Sequence, residues 1–98
     1  MTTGERLILL KANLQLITDA NDPLLVHLLR QGEAAMAREG IVNDASVDYD
    51  ACVIDYAAYL FRKRAASTAG GKESETGMPR FLRWQMNNLL FSQKAVSE

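Results

Sequence analysis

Asp22-Pro23-Leu24-Leu25-Val26-His27-Leu28-Leu29 opens a helix by a mechanism that a strand does not share. An aspartate suits the N-cap, and a proline suits the first helical position, where its missing N–H would have no partner in any case. The helix runs from Pro23 to about Glu39, with Gly40 placed just past its end as a C′ residue. At about 100° per residue, Leu24, Leu25, Leu28, Leu29, Ala35 and Met36 share one broad face. His27, Arg30, Gln31 and Arg38 fall opposite and read as surface. Gly32 sits in the apolar face at a cost of about 1 kcal/mol in helix propensity. Its compensation is either close approach of another helix or a bend.

Two helical patterns lie on either side. Upstream, Glu5 to about Leu16 places Leu7, Leu10 and Leu14 at helical spacing, and Ile8 and Leu9 widen the stripe, so this helix is expected to be mostly covered. Thr18 to Asp22 is a turn cluster. Downstream, Ile41 to Val47 is a connector, and Ser46 or Asp48 caps a third helix from about Asp48 to Ala66. Tyr49, Cys52, Val53, Tyr56, Tyr59 and Leu60 share one face of it, with Ile54 and Phe61 nearly opposite. Its end carries Arg62-Lys63-Arg64, cations that complement the carboxyl end of a helix dipole. Ser67 to Gly77 has no large apolar residue and reads as a flexible loop. Pro79 starts a fourth helix, to about Lys94, with Leu82, Met86, Leu89 and Leu90 on one face and a fraying tail behind it.

The expected fold is therefore all-α, a small domain of four helices over residues 1–98, or five if a connector holds a short turn. Composition agrees: Leu and Ala supply 26 of the 98 residues, and prolines number only two. The formal charge of −1 argues against a protein that lives on non-specific phosphate contacts. Charge is unevenly placed, 4 − 7 = −3 over residues 1–49 and 7 − 5 = +2 over 50–98, so any basic surface comes from the second half. The single Cys52 excludes an intramolecular disulfide, the longest apolar runs are far shorter than a membrane span, and the start lacks a secretory signal pattern. These features suggest a soluble product of a reducing compartment.

Catalytic and cofactor chemistry finds no purchase in the sequence. Gly70-Gly71-Lys72 lacks the spacing and the strand–helix context of a phosphate-binding loop. One His and one Cys cannot build a zinc site of the usual composition, so no metal and no cofactor are expected. Cys52 shares a face with Tyr56 and has no His or Lys one turn away, which makes it a buried thiol before a nucleophile. Asp44, Asp48, Asp50 and Asp55 follow no calcium-loop pattern and read as caps and surface, and Tyr49, Tyr56 and Tyr59 as core or interface. No catalytic residue is assigned, and no enzyme activity is expected.

Two surfaces remain as candidates. Opposite the Leu82/Met86 face of the fourth helix lies a second stripe of Phe81, Trp84 and Phe91. A domain this small rarely buries one helix on both sides, so either this helix is central or its aromatic stripe meets another chain, where large aromatics are enriched. Arg62, Lys63 and Arg64 form the main basic concentration, a solvated helix end or a contact with an acidic partner or passing DNA.

Leu14-Gln15-Leu16 followed by Asp22-Pro23-Leu24-Leu25 resembles the opening of the small phage head–tail connector proteins, also called head-completion or DNA-packaging adaptors. Asp55-Tyr56-Ala57-Ala58-Tyr59-Leu60-Phe61-Arg62-Lys63-Arg64 is similar to their tyrosine-bearing third helix. Met78-Pro79-Arg80-Phe81-Leu82-Arg83-Trp84, running on through Asn87-Asn88-Leu89-Leu90, is similar to a later block. The resemblance implies a phage or prophage structural protein that assembles as a homo-oligomeric ring beneath the portal, in the host cytoplasm and then at the virion head–tail junction. It implies contact with the portal, with a tail or stopper protein, and with DNA that passes without tight binding, and it implies no enzyme, cofactor or membrane. The short first helix departs from the family pattern near the amino-terminal subunit contact. Two other classes stay open: a small helical DNA-binding regulator, and a dimeric interaction module such as an antitoxin or anti-repressor.

Overall fold

The computed structural model describes residues 1–68 and 78–97. The chain is all-α: α1 (Thr3–Leu14), α2 (Asp22–Arg38), α3 (Val47–Thr68) and α4 (Arg80–Ser97), with no strand among the described residues. Ser67 and Thr68, expected to open a flexible loop over 67–77, belong to α3. Residues 69–77 lie outside the described residues.

Local chemistry sets each helix end. A capping box opens α1: the Thr2 hydroxyl accepts from the Glu5 backbone N–H at 3.1 Å, and the Glu5 carboxylate accepts from the Thr2 N–H at 2.7 Å. The helix thus starts ahead of the expected Glu5. It also stops short of Leu16, because Gln15 turns left-handed at φ 60. The N–H groups of Gln15 and Leu16 then close back onto the carbonyls of Ala12 and Lys11, a Schellman motif without its usual glycine. Helix α2 ends the same way with the favoured residue. Gly40 sits at φ +86, its N–H bonds Ala37, and the Ile41 N–H bonds Met36 at 2.9 Å. Ile41 and Met36 are both buried, which supplies the hydrophobic contact of that motif. At the other end of α2 the cap is Asn21, with Asp22 already helical, one residue ahead of the expected start. Ser46 caps α3, its hydroxyl accepting from the Tyr49 N–H at 3.0 Å, which decides between the two candidates.

The central helix is α3, which packs against all three others. Tyr49, Cys52, Val53, Ile54, Ala57 and Ala58 are buried along it, so its two apolar sides both face protein. On the α2 side Gly32 is the point of closest approach, since a Cβ there would stand 3.0 Å from the Val53 carbonyl oxygen. Close helix packing, and not a bend, is thus what offsets the glycine. Leu25, Leu28, Leu29 and Met36 complete this side of the core, while His27, Arg30, Gln31 and Arg38 are exposed as expected.

Helix α1 is less covered than its sequence suggests. Leu10 is fully buried and Leu7 and Leu14 half-buried, but Ile8 is 67% exposed and Leu9 46%. A helix that packs chiefly on α2 and α3 has its main neighbours on one side, and four consecutive apolar residues cannot all point there. What α1 buries instead is charge. Arg6 is 4% exposed, and its guanidinium donates to Asp50 Oδ1 from Nε at 2.8 Å, pairs with Glu33, and lies 5.7 Å from the Tyr49 ring. Asp50, expected as a cap or surface acid, is 4% exposed and is the α3 anchor of this cluster. Burial works against the charged guanidinium, but the bonds to Asp50 and Glu33 outweigh it and hold its pKa above the ordinary value.

Candidate functional site

Two neighbours set the orientation of α4. Leu82, Met86 and Leu89 are buried in the core, as their spacing predicts. Polar ties hold its flanks. Arg83 bonds Glu39 at the end of α2 at 3.1 Å, and the Gln93 amide accepts from the Val42 N–H at 2.8 Å and donates to the Val42 carbonyl at 2.7 Å. Arg83 holds the Glu39 carboxyl below the usual range, and bonds from Ser46 and Gln93 do the same for Asp44. Gln85 reaches α3 through Asp55, whose carboxyl burial raises against the opposing effects of that bond and of Arg62.

With its inner face fixed, α4 turns Phe81, Trp84 and Phe91 outward, 67%, 62% and 69% exposed. Phe81 and Trp84 stack with ring centroids 6.1 Å apart and planes inclined by 28°. Among the described residues the stripe is therefore uncovered, and α3, not α4, is the helix buried on both sides. Alongside it runs a shallow groove between Met78, Arg80, Arg83 and Asn87. Exposed apolar side chains scattered singly are ordinary on protein surfaces, but three large aromatics on one helix face are not.

The basic run is placed differently. Arg62 is exposed but engaged: it donates to the Asn13 side chain at 2.9 Å and leans on the Asn13 carbonyl at 3.4 Å, joining α3 to the carboxyl end of α1. Lys63 lies 5.8 Å from the Tyr59 ring, and Arg64 is exposed with interactions of its own. Because α3 continues to Thr68, the run precedes the last turn, which carries no cation, and the expected complement to the helix dipole does not form.

No reactive constellation accompanies these surfaces. Cys52 is fully buried, and burial, with the charges of Asp55 and Asp48, pushes its thiol up to about 11. Such a group is a packed apolar side chain, not a nucleophile. Tyr56 and Tyr59 meet edge to face at 5.9 Å as partly covered residues. Among the described residues no group of His, Cys, Asp and Glu could hold a metal ion, and no helix is long and apolar enough to cross a membrane. The sequence reading missed the outward face of α1, where Ile8 and Leu9 stand exposed beside Glu5 and Ala12. The signal was present in the unbroken run Leu7 to Leu10, which is too wide for one buried stripe. Comparisons of the chain with protein-family models, with curated proteins and with solved structures give no match.

Proposed function

We propose that this chain is a structural subunit of a phage or prophage particle, a connector whose copies form a ring between portal and tail. In this reading the ring extends the DNA channel, docks the next tail or stopper protein, and carries no enzyme activity. The chain assembles in the host cytoplasm and ends at the virion head–tail junction. The observation that supports the reading best is α4, which spends one face on its own core and leaves Phe81, Trp84 and Phe91 exposed on the other. Passing DNA needs no tight grip, and a formal charge of −1 suits a channel through which phosphates slide.

Gel filtration with light scattering, and negative-stain imaging at high concentration with and without the portal, test the proposal. The expected result is a monomer or small oligomer when dilute and rings when concentrated or seated on a portal. Trp84→Glu is expected to abolish assembly, on the scale of about 2–4 kcal/mol for an interface aromatic, while leaving the fold intact. A protein that stays monomeric throughout and ignores the portal defeats the reading. Duplex binding weaker than about 10⁻⁴ M is expected at physiological salt, and submicromolar binding that falls steeply as salt rises replaces the reading with the DNA-binding regulator.

A further inference from the structure

We infer that the aromatic face of α4 docks on the outward face of α1 in a second copy of this chain, a head-to-tail contact. The inference rests on the reading of Phe81, Trp84 and Phe91 as a self-assembly surface and assigns the surface they meet.

Spacing is the first argument. Phe81, Trp84, Asn88 and Phe91 follow one another at intervals of three, four and three, the pattern of a seam made to pack along another helix. Asn88 is exposed within that seam, its amide donating to the Trp84 carbonyl at 3.2 Å, and a polar residue at such a position fixes register. The described chain offers one other exposed helix face with large apolar residues at helical spacing. On α1, Glu5, Ile8, Leu9 and Ala12 lie directly opposite Leu10 and Leu14, all of them exposed.

Charge separates this pairing from stripe against stripe. Arg80 is the charged residue that borders the stripe, and α4 holds no acid, so a second copy of this face offers that cation no partner. The α1 face is framed instead by acids: Glu5 at its start and Asp19 beyond its end, an exposed carboxylate that also meets Lys11. Arg80 beside one face thus meets a face framed by acids.

Placement is the third argument. Helices α1 and α4 both pack on α3, and the two faces belong to different elements of the chain. Contacts between two different faces repeat from copy to copy and close into a ring when the rotation allows. Size is consistent with a weak contact. Three aromatics of 150–250 Å² left about two-thirds exposed present roughly 300–500 Å², below the ~800 Å² per partner of a standard interface.

Cysteine pairing tests this directly, because native Cys52 is buried and does not interfere. Chains carrying Leu9→Cys and Asn88→Cys, both at exposed positions, are checked for wild-type circular dichroism and then oxidised at high concentration, separately and mixed. The expected result is a disulfide-linked dimer in the mixture that is lost in either chain alone, and a ladder of higher species from the double variant. A dimer from Asn88→Cys alone overturns the inference in favour of face-to-face stripes. Absence of cross-links while the wild type still self-associates by light scattering also overturns it, and leaves the ring proposal standing on another contact. Absence of both takes the two readings down together.

Discussion

Helices α1 and α4 both lean on α3, yet they are held to it by opposite means. Helix α1 is pinned by a buried charge cluster, with Arg6 reaching Asp50 on α3 and Glu33 on α2. Helix α4 is held by an apolar strip of Leu82, Met86 and Leu89, with its polar ties at the exposed rim. A buried charge set is costly to leave half-made, whereas rim contacts contribute little each and can be lost one at a time. The α1 side is therefore expected to open only with the whole fold, and the α4 side to loosen by degrees.

The sharpest way to break this comparison is Arg6→Met. It leaves Asp50 buried without its guanidinium partner, with the Met1 amino group at 3.7 Å as its remaining cation. Breaking such a pair from one side costs up to about 3–5 kcal/mol. A large fall in the urea midpoint at unchanged slope is expected, and Arg6→Met with Asp50→Leu should recover much of it, since apolar replacement of a buried pair is often neutral. A loss under 1 kcal/mol for the single change would show the cluster to be dispensable. Next in size is Gly32→Ala. The new methyl gains about 1 kcal/mol of helix propensity but presses on the backbone at Val53, where overpacking costs about 1–3 kcal/mol, so a net loss near 1 kcal/mol is expected and a larger one for Gly32→Val.

The smallest effect belongs to α4 and to acid. Glu39 and Asp44 have folded-state pKa values below their unfolded ones, through Arg83 and through Ser46 and Gln93 respectively. Their contribution is complete above the unfolded carboxylate values near 4 and fades as pH falls through the lowered folded ones. Asp55, raised by burial, works in the opposite sense and gains on protonation. Amide protection along α4, taken relative to the intrinsic exchange rate at each pH, should therefore fall below about pH 4 before that of α2 and α3. Uniform loss of protection through all four helices would erase the distinction between the two sides.

The sequence was most readable where structure is local. Asp22-Pro23 and Gly40 bracket α2 to within a residue, and the Leu82/Met86/Leu89 spacing names the inner face of α4 and, by subtraction, its aromatic outer face. It was least readable where partners are distant. Arg6 looks like an ordinary charged residue in a first turn, and nothing nearby announces an aspartate 44 residues on. Asp50 was misread for the same reason. Ile8 and Leu9 widen the apolar stripe and read as covered, because apolarity alone does not state how many neighbours a helix has. The centrality of α3 was half visible in Ile54 and Phe61 opposite Tyr49, and became definite only with the small Ala57 and Ala58 in the packed interior.

The position of Trp84 has an optical consequence. It is the single tryptophan of the chain, and in the isolated fold its indole is largely in water. Denaturant therefore changes its surroundings little, so intrinsic emission should stay red and nearly blind to unfolding. Docking of the stripe against another copy removes that water and should shift the emission to the blue. The chain thus carries a fluorophore that reports on assembly and barely on folding, and the two processes can be followed separately in one cuvette, by emission and by far-ultraviolet dichroism.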